Sequence, residues 1–262
     1  MKANNQEEYM TSKEDDNIME DTTYKYLYPY YTQRATPLEI GIMLNEVTKI
    51  HQTENIEITS ENANTELERI SSPDTLFVIS GPSCSGKSTL GEKLAKKING
   101  YLIDIDVICF EHFKKICENN AILSSESYIL EMYTALTSAY LQENLDNLVS
   151  DAKKQHKPVI LVGGFINNIA RCLISYIFGR SFTKIVGICC FEPNLDLFKK
   201  AVEDRRKRIG EDDFLSRIEK VYGNPIAEYN QIKNTLYNYK DTAGNGFDYF
   251  MFMDFESIYS IG

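Results

Sequence analysis

The residues most suited to chemistry lie in Gly81-Pro-Ser-Cys-Ser-Gly86-Lys87-Ser88, which satisfies G-x-x-x-x-G-K-[ST] in full. That spacing lets a strand turn sharply into a helix while backbone N–H groups converge on an anion. Gly81 and Gly86 supply backbone angles closed to other residues and leave room for phosphates. Ser83, Cys84, Ser85 and Thr89 complete the cradle. Lys87 offers a point charge to the outer phosphates, and the Ser88 hydroxyl is placed to ligate Mg²⁺. ATP and Mg²⁺ are the expected cofactors.

A second constellation is Tyr101-Leu-Ile-Asp104-Ile-Asp106. Read as a strand end, it puts Asp104 and Asp106 on one face. Two carboxylates that close raise each other's proton affinity unless a cation or substrate lies between them. Asp104 is therefore expected to orient the Mg²⁺ shell, and Asp106 to accept a proton from the attacking group. Helix capping is the other use of an aspartate at such a place. Further on, Lys157-Pro-Val-Ile-Leu-Val-Gly163-Gly164 is an apolar run ending in paired glycines, whose N–H groups could bind polar substrate atoms. No aspartate follows Val162, so cation handling would rest on Ser88 and the aspartate pair.

The arginines are unevenly placed: none occurs between Arg69 and Arg171, whereas Arg205, Arg206, Arg208 and Arg217 fall together. Guanidinium forks grip phosphate oxygens and neutralise charge that develops in phosphoryl transfer. At helical spacing Arg205 and Arg208 share a face. These two and Arg217 are expected to form a helical lid, while Arg206 and Lys207 are solvated surface charge.

Positioning these groups requires alternating strands and helices. The pattern predicts strands near 75–80, 101–105, 158–163, 184–191 and 247–253. Helices are predicted near 87–98, 107–119, 126–155, 194–209, 212–222 and 225–238. Such alternation implies an α/β fold, a parallel sheet covered on both faces with ligands beyond the carboxyl ends of its strands. This domain is expected to span 73–262. Residues 1–72 read as an acidic extension: a polar tail over 1–22, a Tyr-rich and then helical segment over 24–50, and a linker from His51 to Ser72 with room for another short helix.

The net charge is −10, and residues 1–72 hold 14 acidic against 6 basic residues, so the remainder is near neutral. A near-neutral catalytic region argues against DNA binding, which needs a basic face. A small-molecule acceptor is favoured. No apolar run approaches membrane-spanning length, and the first residues lack the apolar core of a signal peptide, so a cytoplasmic protein is expected. The six cysteines contain no C-x-x-C pair and read as reduced.

The stretch "GPSCSGKSTLGEKLAKKINGYLIDIDVI" resembles the opening of the shikimate-type small-molecule kinases of the P-loop fold. That resemblance implies a three-layer P-loop fold and phosphotransfer from ATP. It puts Asp104 and Asp106 at the Mg²⁺ and the substrate hydroxyl, Gly163-Gly164 facing substrate, and the arginines of 205–217 in a lid. No arginine lies in the helices after Asp106, where shikimate kinases hold their substrate carboxylate, so the implied acceptor is not shikimate. "GPSCSGKST" and "PVILVGGFINNIARCLI" are also similar to the isopentenyltransferases acting on adenine nucleotides or tRNA. In that chemistry the loop would hold the diphosphate of dimethylallyl diphosphate, Asp106 would deprotonate the adenine amino group, and RNA becomes a partner. A P-loop binding module without turnover is the third reading.

Overall fold

The structure is a computed structural model that describes residues 53–119, 140, 144–164, 174, 178, 181–209, 225–241 and 246–262. The elements in chain order are β1 (Glu54–Ile56), α1 (Ala63–Ile70), β2 (Thr75–Ser80), α2 (Lys87–Lys97), β3 (Tyr101–Asp104) and α3 (Ile105–Asn119). After helical residues 144–154 come β4 (Val159–Val162), β5 (Lys184–Cys190), α4 (Leu195–Ile209), α5 (Pro225–Asp241), β6 (Tyr249–Met253) and α6 (Phe255–Ser260). The strands form one parallel sheet in the order β1-β6-β5-β2-β4-β3.

β2 sits between β4 and β5, with Leu76 level with Val159 and Ile185. Every residue of β2 is buried, as expected where helices cover both faces. Alternation divides its side chains. Leu76 and Val78 join a core with Ile105, Leu145, Phe198 and Tyr229, whereas Phe77 and Ile79 join one with Leu67, Leu90, Leu94 and Ile258. The result is the three-layer α/β arrangement expected of a P-loop fold.

One expectation is corrected here. Over its described residues 53–72, the stretch read as a linker is instead part of the sheet domain, and the short helix it had room for is α1. β1 pairs in parallel with β6, Glu54 against Tyr249, and Thr53 Oγ1 donates to the Phe247 carbonyl at 2.8 Å. On α1, Ala63, Leu67 and Ile70 are buried at the helical spacing of one face. So few apolar residues cannot outweigh a polar composition in the sequence, but each is placed where the sheet needs cover. The tail over 1–22, the segment over 24–50 and the helix expected near 212–222 lie outside the described residues. Among the described residues no helix is long and apolar enough to cross a membrane.

Candidate functional site

β2 ends at Ser80, and the turn into α2 is made by residues 81–86. Gly81 has φ +141°, and a Cβ there would lie 2.4 Å from the Cys190 carbonyl oxygen, so no side chain fits between the loop and β5. Gly86 caps α2 in the left-handed region at φ +90°. Cys84 also has positive φ, +67°, a conformation that costs a non-glycine residue and that the surrounding loop must impose. The Ser85 hydroxyl is buried and has no hydrogen-bond partner among the described residues. Lys87 is buried, and its ammonium donates to the Pro82 carbonyl at 2.8 Å. The N–H of Ser83, at the other end of that same peptide, donates to Glu228 Oε2 at 2.7 Å.

The aspartates do not share a strand face. β3 stops at Asp104 and α3 begins at Ile105, so Asp106 stands in the first turn of a helix. The reason is capping: Asp104 Oδ1 accepts the Val107 N–H at 3.2 Å, satisfying one orphan donor of α3. Asp104 Oδ2 is buried and has no partner among the described residues. A carboxylate oxygen in that condition suits a cation or a cation-bound water. The Ser88 side chain is exposed in the first turn of α2. Asp106 is exposed to the cavity, with a high density of protein around its carboxyl. Burial pushes its carboxyl up to about 6; Lys87 opposes that rise, Asp104 and Glu228 add to it, and Arg205 opposes it.

The loop, Asp106 and α4 meet in a cavity of about 970 Å³ beyond the carboxyl ends of the strands, and Asp104 is not among the residues that line it. Ser83, Cys84, Gly86, Lys87, Ser88 and Thr89 form one wall, and Asp106 a second. α4 forms a third, with Arg205 and Arg208 both facing the space and Arg206 and Lys207 outside it. The rim is apolar. Val107, Leu197 and Tyr259 are the exposed large hydrophobic residues among those described, and all three line this cavity with Phe255. Exposed apolar area gathered in one polar-based cavity marks a binding surface rather than scattered surface residues.

The paired glycines stand apart. Gly163 donates its N–H to the Ile79 carbonyl at 3.1 Å, which commits that donor to the sheet, and neither Gly163 nor Gly164 lines the cavity. Arg217 lies outside the described residues, as does the remainder of the expected lid. Cys84, Cys109, Cys189 and Cys190 form no disulfide among the described residues. Burial pushes the Cys109 and Cys190 thiols up, which leaves them inert fillers of the core.

Sequence reasoning missed Glu228, Glu192 and the apolar rim. Glu192 is buried and joins two loops at the cavity edge, accepting the Asn194 N–H at 2.9 Å and the Phe255 N–H at 3.3 Å. Neither glutamate belongs to a motif. An aromatic pair four residues apart, Phe255 and Tyr259, directly after the Asp254 cap of α6, was the one local signal for the rim.

Parts of the chain are similar to known proteins. The tRNA dimethylallyltransferase of Carboxydothermus hydrogenoformans is 28% identical over 170 residues, 62% of this chain and 50% of that protein. The chain thus spans about half the length of the curated relative it matches. Among solved structures, the shikimate kinase of Bacteroides thetaiotaomicron aligns at 18% identity over 71% of this chain and 92% of that one, with a TM-score of 0.39. The Aquifex aeolicus shikimate kinase aligns at 19% identity over 64% and 99%, with a TM-score of 0.27. A family model described as an AAA domain matches residues 76–217, from the start of β2 past the arginine-bearing α4 and over more than half of the chain. With its phosphate loop on the central strand of a parallel sheet, the chain belongs to this AAA-domain family of P-loop nucleotide-binding proteins.

Proposed function

We propose that the protein is a phosphotransferase that moves the γ-phosphoryl group of Mg-ATP to a small hydroxyl- or phosphate-bearing acceptor. The observation that carries this reading is the sharing of one cavity by Lys87, Asp106, Arg205 and Arg208. Phosphoryl transfer needs little covalent chemistry from a protein; it needs positioning and neutralisation of charge. The acceptor oxygen attacks the γ-phosphorus, the bond to the β–γ bridging oxygen breaks, ADP departs, and the acceptor proton passes to Asp106. Lys87, Arg205 and Arg208 stabilise the charge spread over the transferring oxygens. Ser88 and Asp104 would hold Mg²⁺, which supplies charge neutralisation between the phosphates when bound. The rim of Val107, Leu197, Phe255 and Tyr259 suits the flat face of a nucleobase.

The similarity to a tRNA dimethylallyltransferase favours a second reading, transfer of a dimethylallyl group to an adenine nucleotide or tRNA. The same loop would hold a diphosphate, and Asp106 would take the proton from the adenine amino group. Incubation with labelled Mg-ATP across a panel of small acceptors, and separately with dimethylallyl diphosphate plus AMP or tRNA, separates the two. Label on an acceptor in the first arm supports phosphotransfer. Product in the second arm alone replaces it, and ATP binding without product in either arm leaves a nucleotide-binding module.

A further inference from the structure

The Pro82–Ser83 peptide is held from both sides. Its carbonyl oxygen accepts from Lys87 Nζ at 2.8 Å and its N–H donates to Glu228 Oε2 at 2.7 Å. In a trans peptide these two groups point in opposite directions, so the pair of contacts fixes the plane with its carbonyl toward Lys87 and its N–H away. The support behind Glu228 is rigid. The next residue, Tyr229, is fully buried, donates its hydroxyl to the Pro193 carbonyl at 3.1 Å, and stacks on Phe191 and Phe198 with centroids 4.9 and 4.7 Å away.

The N–H groups of a phosphate loop are its anion donors, and here one of them is already bound to a carboxylate of the protein itself. A short phosphate chain seated at the N-terminus of α2 is served by the N–H groups there. A longer chain runs on to the Lys87 ammonium, which neutralises the outer phosphates and which already sits at the Pro82–Ser83 peptide. There the last phosphate meets a carbonyl oxygen instead of a donor, because the Ser83 N–H is turned to Glu228.

We propose that Glu228 is a specificity-determining residue: by holding the Ser83 N–H out of the phosphate seat, it sets the loop's preference against the outermost phosphate of a long chain. This rests on the reading of the loop as a polyphosphate seat, and not on which group is transferred. In phosphotransfer it weakens the hold on the phosphate that must leave.

The test is calorimetric binding of inorganic tripolyphosphate and pyrophosphate to the full chain, without added metal, for wild type, Glu228→Gln and Glu228→Ala. Freeing the Ser83 N–H to turn toward a bound anion should tighten tripolyphosphate about tenfold in the alanine variant and pyrophosphate several-fold less. The glutamine variant, which keeps an acceptor oxygen but loses the charge, should fall between. Unchanged or weaker tripolyphosphate binding in either folded variant would overturn the proposal, as would equal tightening of both chains, which a charge effect with no position produces. Should the alanine variant fail to fold, the ratio of the two affinities in Glu228→Gln decides alone. Binding of neither chain by any of the three proteins overturns the phosphate-seat reading as well; normal wild-type binding with unshifted variants overturns the role of Glu228 only.

Discussion

Lys87 Nζ lies 2.8 Å from the Pro82 carbonyl oxygen, so the loop's ammonium bonds back onto the loop itself. A buried cation needs such a partner, and a phosphate ligand offers a stronger one. Lys87→Ala should weaken ATP binding by about tenfold or more and remove nearly all turnover, since a hydrogen bond to a charged group contributes about 1.5–3 kcal/mol. The fold should persist, because the variant also loses the desolvation cost of the ammonium. Titration calorimetry with ATP and a melting curve check both halves; unaltered affinity would detach Lys87 from the phosphates.

Gly81→Ala is expected to damage the fold itself. The added methyl would lie 2.4 Å from the Cys190 carbonyl oxygen, at a backbone φ of +141°. Strain and overpacking together should cost roughly 2–4 kcal/mol. Chemical denaturation measures this, and a variant as stable as wild type would mean that the loop can move off β5.

Asp106 should govern the pH dependence. Its carboxyl is raised from the ordinary aspartate value to about 6, with burial as the main cause. As a base it works only when ionised, so kcat/KM should rise with pH through a midpoint near 6 in the free enzyme. Stability runs the other way: the folded state holds this proton more tightly than the unfolded state, so Asp106 is best tolerated at low pH and disfavours folding as pH rises through about 6. Asp106→Asn should therefore raise the melting temperature at pH 8 more than at pH 5. It should also lower kcat by about 10²-fold or more, with ATP affinity little changed. A flat stability difference across pH would show that the carboxyl is not held up by its surroundings.

Asp104 has two oxygens with separate duties, Oδ1 capping α3 and Oδ2 buried without a partner among the described residues. Asp104→Asn keeps an oxygen for the cap but removes the charge, so it should raise the Mg²⁺ concentration needed for half-maximal turnover while changing stability by less than about 1 kcal/mol. If the Mg²⁺ requirement stays put, Asp104 is a cap and nothing more.

Glu192 ties the loop before α4 to the first residue of α6 through two N–H groups. Glu192→Ala would leave two part-buried N–H donors without their carboxylate and should destabilise the domain by about 0.5–1.5 kcal/mol. It should also loosen Phe255 and weaken ligands that carry a base more than inorganic phosphate. Equal effects on both ligands would mean that Phe255 is not a wall for the base.

The phosphate loop and the parallel sheet were legible because their causes are local. G-x-x-x-x-G-K-S specifies a turn whose backbone needs glycine at Gly81 and Gly86, and unbroken apolar runs such as Thr75–Ser80 specify strands covered on both faces. The face shared by Arg205 and Arg208 was readable from helical spacing alone, because three residues are close to one turn. Other features depended on the tertiary structure. Asp104 and Asp106 looked like a strand pair, but the strand ended one residue early because an aspartate that can cap a helix starts one. β1 was hidden in polar sequence since an edge strand needs few apolar residues, and only the open edge of β6 gives it a place. Glu228 carries no signal at all: its meaning comes from a contact between residues 145 positions apart, brought together when Tyr229 packs beneath α4, and chain distance of that size leaves no periodicity to read.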